Sequence, residues 1–119
     1  MSILGFLLKS KKEMSKKSTK PIKVGKYKVS SHAQNRIVQG DRNLTKWGLV
    51  DNLFTKPNAI SKIRGDKPFR SYNRIGKTMT TSINPDTNVV STARRVSKKE
   101  MKEYGLIRRN NKYVKKNKK

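Results

Sequence analysis

Hydrophobic and polar positions follow two different periods along this chain, and the change falls near residue 58. Before it the period is helical. Ala33 and Ile37 share one side of a predicted helix, while His32, Asn35, Arg36 and Gln39 share the other. Ser30 or Ser31 supplies the N-cap, and Gly40 ends the helix at about Gln39. A second helix starts after Thr45. Trp47, Val50 and Phe54 form its stripe, with Leu49 and Leu53 beside it, and Lys56-Pro57-Asn58 stops it. Trp47 reads as a core residue.

After residue 58 the period is two. Strands are predicted over 59–64, 69–75, 77–84 and 89–96. In the second, Arg70, Tyr72 and Arg74 alternate with Phe69, Ser71, Asn73 and Ile75. In the third, Met79 and Ile83 alternate with Thr78, Thr80 and Ser82. Gly76-Lys77 and Asn84-Pro-Asp-Thr-Asn88 are turns. Ser97-Lys-Lys-Glu100 is a capping box that opens a short last helix, closed by Gly105. The expected fold is α+β: two N-terminal helices followed by a four-stranded antiparallel sheet and a short C-terminal helix. One sheet face packs on the helices. The other carries Arg70, Tyr72, Arg74 and the Thr/Ser row, facing solvent. Upstream, Ile22, Val24 and Tyr27 to Val29 suit a short edge strand. The chain has no internal repeat.

Charge divides the chain further. Thirty-one basic and seven acidic residues give +24 over 119 residues, with only 32% apolar content. Residues 9–28 hold nine lysines and one acid, and residues 106–119 hold seven basic residues and no acid. These ends read as a largely flexible basic N-terminal arm (1–28) and a basic C-terminal tail (106–119), flanking a domain over 29–105. So large an excess calls for a polyanionic partner: nucleic acid first, an anionic membrane second, with an acidic protein also fitting. The apolar stretch from Ile3 to Leu8 is too short to span a bilayer, so no stable membrane insertion is expected. Without cysteine there are no disulfides and no Cys-ligated metal.

The only histidine, His32, lies four residues before Arg36, on the same helix face. Binding a polyanion needs only positive charge. Cutting RNA without a metal also needs a proton carrier near neutral pH, a task suited to imidazole, and cations that neutralise the phosphorane-like transition state. Arg36, Arg70, Arg74 and Lys77 suit the phosphate, Tyr72 a base or phosphate oxygen, and Thr92 or Ser91 the orientation of the phosphate. The plainer alternative makes His32 an exposed first-turn residue and the arginines a binding face. A third pattern, Pro85-Asp86 with Glu100-Met-Lys102, matches a loose Mg²⁺-nuclease motif. Its context is wrong, because Glu100 belongs to a capping box and Asp86 to a hairpin tip. Phe69 and Tyr72 fall on opposite faces of their strand, so they form no two-aromatic stacking platform.

His-Ala-x-x-Arg on an opening helix, then Tyr-Asn-Arg-Ile-Gly and Asn-Val-Val-Ser-Thr-Ala on later strands, give a resemblance over roughly residues 29–97. The arrangement resembles the barnase/EndoU/colicin/RelE-like ribonuclease superfamily, and within it the C-terminal toxin domains of bacterial polymorphic toxins and colicin-type bacteriocins. The resemblance implies metal-independent cleavage of RNA, often tRNA, with no cofactor. It implies inhibition by an acidic immunity protein or antitoxin. The site of action implied is the bacterial cytoplasm, reached by secretion or delivery from a producing cell. The resemblance implies catalytic positions for His32, Arg36, Arg74, Tyr72 and Thr92; beside it, Arg70, Lys77, Arg94 and Arg95 are expected to bind RNA phosphates.

Overall fold

Lysines and apolar residues alternate in the segment before the first helix, and that alternation makes it fold. In the computed structural model, which describes residues 20–38 and 44–116 together with Gly5 and Leu7, this segment forms β1 (Ile22–Val24) and β2 (Tyr27–Val29). Ile22, Val24, Tyr27 and Val29 are buried, while Lys23 and Lys28 point to water. The hairpin turns at Gly25, whose φ is +60° and whose Cβ, if it had one, would sit 2.7 Å from the Phe54 ring. Only glycine accepts both constraints. Most of the predicted N-terminal arm, including Ile3 to Leu8 apart from Gly5 and Leu7, lies outside the described residues.

β2 feeds into α1 (Ser31–Val38). Ser30 is the N-cap: its hydroxyl accepts from the Ala33 amide at 3.1 Å. Ala33, Gln34 and Ile37 are the buried face. The expected end of this helix, at Gln39 and Gly40, lies outside the described residues. In α2 (Lys46–Phe54), Thr45 caps the start by accepting from the Gly48 amide. The buried stripe of α2 is Gly48, Leu49, Asn52 and Leu53. Trp47, expected in the core, is 71% exposed. Gly48 brings the helix backbone close to the sheet, where the Thr78 hydroxyl donates to the Gly48 carbonyl at 2.7 Å, and that contact turns Trp47 outward.

The remaining strands are β3 (Ala59–Ile60), β4 (Tyr72–Ile75), β5 (Thr80–Ile83) and β6 (Val89–Arg94). The sheet order is β1-β2-β6-β5-β4-β3. The expected four-stranded antiparallel sheet is therefore incorrect: the sheet has six strands and is mixed. A hairpin precedes the helices, and its β2 pairs with β6 in parallel, Lys28 opposite Val89 and Val29 opposite Val90. The first predicted strand ends early, at Ile60; beyond it one bridge joins Arg64 to Ser71, leaving 65–70 as a loop.

Register decides which face each residue takes. Tyr72 pairs with Ile83, Arg74 with Thr81, and Thr81 with Ala93, so these five share one face with Met79 and Val90. That face is covered by α1 and α2 and forms the main core with β1 and β2. Asn73 pairs with Ser82, Ser82 with Thr92, Ile75 with Thr80, and Thr80 with Arg94, placing these on the other face. A bulge leaves Ser91 as an extra residue between Thr92 and Val90. The expectation that Arg70, Tyr72 and Arg74 share an open face with the Thr/Ser row is thus corrected: Tyr72 and Arg74 lie under the helices, and Thr80 and Ser82 lie opposite.

A second, smaller core covers one end of that other face. It is built from Ile75, Val96, Leu106 and Tyr113, with Met101 and Tyr104 packed on it. α3 (Lys98–Tyr104) opens with the predicted capping box, the Ser97 hydroxyl accepting from the Glu100 amide and the Glu100 carboxylate accepting from the Ser97 amide. Gly105 closes it in the left-handed conformation. The chain beyond does not remain a tail. β7 (Leu106–Arg109) and β8 (Lys112–Lys115) form a hairpin around Asn110 and Asn111, both at positive φ. It is fastened by the Tyr113 backbone amide donating to the Lys77 carbonyl (2.8 Å) and Asn58 Nδ2 donating to the Tyr113 carbonyl (2.7 Å).

Glu100 anchors α3 to the sheet. It accepts from Arg94 through both oxygens (2.7 and 3.0 Å) and from Thr80 at 3.2 Å. Burial pushes its carboxyl pKa up, but the bonds from Arg94, Ser97 and Thr80 outweigh this and hold it below the ordinary value. A carboxyl depressed in the fold stabilises above its unfolded pKa, and that stability is lost as pH falls through the folded one. Glu100→Gln is expected to cost about 2–4 kcal/mol at pH 7 and much less at pH 3. Urea midpoints of both proteins at the two pH values test this; an equal gap at both would rule out the ionised pair as the source.

Candidate functional site

The nominated residues divide into those the fold brings together and those it separates. On α1, His32 is exposed and Arg36 is half-buried. This helix lies against β6. The Ser30 hydroxyl donates to the Ser91 carbonyl at 3.0 Å, and Arg36 Nε reaches the Ala93 carbonyl at 3.5 Å. His32 and Arg36 thus stand beside the β6 edge where β2 stops pairing. Lys23 and Lys28 project to solvent from the hairpin leading into this helix.

Arg74 is elsewhere. Its Nε donates to the Asn52 carbonyl at 2.6 Å and its Nη2 to the Thr55 carbonyl at 2.7 Å. It therefore caps the C-terminal end of α2, where the last carbonyls lack helical partners and the helix dipole favours a cation. β4 is separated from β6 by β5, about 10 Å away at ordinary strand spacing. Tyr72 packs against the main core, and its phenol pKa is raised, first by burial and then by Tyr27, against an opposing effect of Arg74. Thr92, half-buried opposite Ser82, is on the other side of the sheet from both. Thr92 thus shares no site with Tyr72 and Arg74.

Two more arginines have internal carboxylate partners. Arg70 forms a two-pronged pair with Asp86, its Nε 2.9 Å from Oδ2. That bond is the main reason the Asp86 carboxyl lies below its ordinary pKa and the Arg70 guanidinium above its own. Arg94 is paired with Glu100, and Arg95 is half-buried just past β6, its carbonyl accepting from Arg94 Nη1. Lys77 stands in solvent in the β4–β5 turn. The Mg²⁺-nuclease pattern fares no better: Asp86 is bound to Arg70, Glu100 sits in its capping box, and among the described residues no three His, Asp or Glu gather to hold a metal ion.

The uncovered part of the second sheet face forms a polar strip of Asn73, Ser82 and Thr92, with a cavity on either side. One, of about 140 Å³, includes Arg64, Asn73, Lys99 and Tyr104 in its lining. The Tyr104 phenol pKa there is raised, by burial first and then by Glu103 and Glu100. The other, of about 470 Å³, lies between the 65–70 loop and the β5–β6 hairpin, with Phe69, Ser71, Ser82 and Ser91 among its walls. Neither cavity was foreseen from sequence. The available signal was Phe69 itself, an aromatic inside a loop punctuated by Gly65 and Pro68 rather than in a strand. Among the described residues no helix is long and apolar enough to cross a membrane. No family model, curated protein or solved structure matches this chain.

Proposed function

We propose that the chain is a metal-independent endoribonuclease of the toxin type, cutting tRNA or another RNA by attack of a 2′-hydroxyl on its phosphate and held inactive by an acidic immunity protein or antitoxin. One observation carries the reading: the single imidazole is presented to solvent from the first turn of α1, beside Arg36, on the helix that borders β6. His32 moves the proton, Arg36 stabilises phosphate charge, and Lys23, Lys28 and Lys77 add salt-sensitive attraction. Arg70, Arg74 and Arg94 take no direct part, because their guanidiniums bond Asp86, the α2 terminus and Glu100.

Those three internal bonds also favour a second reading, a non-catalytic nucleic-acid-binding protein of phage or plasmid origin whose surface lysines provide the attraction. Incubation of the purified protein with total tRNA in EDTA separates the two. The nuclease reading expects fragments ending in cyclic phosphate. RNA retarded on a gel but left intact would establish the binding protein instead.

A further inference from the structure

The loop over 65–70 is fastened more firmly than its exposure requires. The Arg64 amide donates to the Ser71 carbonyl at 2.8 Å, and the Ser71 amide donates back at 2.9 Å. The Phe69 amide donates to the Asp66 carbonyl at 2.8 Å. Asn84 Nδ2 reaches across to the Pro68 carbonyl at 2.8 Å, and Asp86, one of only seven acids in the chain, is committed to Arg70. All these ties hold in place the backbone that carries a phenyl ring left 84% exposed. An aromatic side chain gains stability by burial, and Phe69 forgoes that gain.

Phe69 stands at the rim of the 470 Å³ cavity, a volume in the range of small-ligand sites. Ser71, Ser82 and the bulge residue Ser91 also line it. Ser71 and Ser82 make no side-chain hydrogen bond among the described residues, and Ser91 donates to the Ser82 carbonyl at 3.2 Å. The cavity thus combines one aromatic face, carried on a tied loop, with hydroxyls that can donate and accept. Its cation, Arg70, is already neutralised by Asp86. That combination suits a flat, uncharged ring with polar edges better than a phosphate.

We propose that this cleft binds a nucleobase of single-stranded RNA, with Phe69 stacking on the ring and the Ser71 and Ser82 hydroxyls meeting its edge. The proposal rests on RNA being the ligand, but not on cleavage. Preorganisation explains the ties: a loop whose backbone is already fixed loses little further freedom when a base stacks on the ring it presents. Because the contact is to a base, it contributes to affinity without releasing counterions.

The test uses an uncleavable 2′-O-methyl oligonucleotide and an abasic strand with the same number of phosphates, followed by fluorescence anisotropy. Phe69→Ala is expected to weaken binding of the base-bearing strand about five- to a hundredfold. It should leave the abasic strand and the salt slope unchanged, and Phe69→Trp should restore affinity. An exposed side chain carries little of the stability, so matching melting curves are expected for all three proteins. Phe69→Ala binding the base-bearing strand like wild type would overturn the proposal, as would an equal loss on both strands. If a nucleoside monophosphate binds as tightly as the oligonucleotide and also depends on Phe69, the cleft takes a free nucleotide and the strand form of the proposal fails. No arm requires catalysis. A protein that cuts tRNA yet is indifferent to Phe69 would refute only the cleft, and one that binds through Phe69 without cutting would refute only the nuclease.

Discussion

If the proposed nuclease function holds, His32→Ala is expected to lower the rate of RNA cleavage by about 10²–10⁴, the usual worth of a positioned general acid or base, while the variant still melts and binds RNA like the wild type. The two halves of this expectation come from the same geometry. His32 is exposed and belongs to neither core of the described residues, so its removal leaves the α1 packing by Ala33 and Ile37 intact. The loss is therefore read as chemistry. Single-turnover cleavage in EDTA is the measurement, and a variant that cuts at the wild-type rate would remove the imidazole from the mechanism. Arg36 needs a gentler change, because its Nε also reaches the Ala93 carbonyl. Arg36→Lys keeps the charge and loses the planar fork, so a drop in cleavage at unchanged stability would mark it as the phosphate ligand. Arg74→Ala should do the reverse, lowering stability through the α2 terminus while cleavage per folded molecule stays the same.

What could be read from the sequence was local. Thr45, Ser97 with Glu100, and Gly105 act within four residues of their partners, so their chemistry is visible in a short window. The Asn84–Asn88 turn is local in the same way. What could not be read depends on distant pairing. Ile22, Val24 and Tyr27 to Val29 read as strand-forming, but their place in the main sheet does not show, because β2 finds its sheet partner about sixty positions later. The composition that suggested a mobile arm conceals a strict apolar–lysine–apolar alternation. The last hairpin had a visible signal, Asn110-Asn111 between Leu106-Ile107 and Tyr113-Val114, obscured by the same weight of charge.

The assignment of sheet faces shows the limit most clearly. Alternation within β4 and within β5 is as expected, yet which set meets the helices turns on the cross-strand register. With one core assumed, Ile75 and Ile83 belong on the same face. The fold has two cores, one on each side of the sheet, and places these isoleucines on opposite faces. That separates Tyr72 and Arg74 from Thr92. The resemblance-based site therefore contracts to His32 and Arg36, and the open polar strip acquires a role that no motif announced.

Asn52→Ala should be the most destabilising polar substitution in the described domain. Asn52 is 1% exposed. Its Nδ2 donates to the carbonyls of Arg74 (3.0 Å) and Met79 (2.9 Å), and its Oδ1 accepts from the Thr81 hydroxyl at 2.6 Å. Its backbone carbonyl receives Arg74 Nε in return. One side chain thus locks α2 to both strands of the β4–β5 hairpin. Truncation orphans a buried hydroxyl, takes one donor from the carbonyls of Arg74 and Met79 (the latter keeps the Gly76 amide), and leaves a small void. About 3–5 kcal/mol is expected, a large part of the stability of a domain this size. Urea unfolding would show a lower midpoint at an unchanged slope. A double-mutant cycle with Thr81→Val identifies the cause. If the cost comes from an unpaired hydroxyl, removing that hydroxyl recovers part of it, and the double variant is more stable than the sum of the single losses predicts by about 1 kcal/mol or more. Strict additivity would show that Asn52 acts by filling space, and the polar lock between helix and sheet would have to be abandoned.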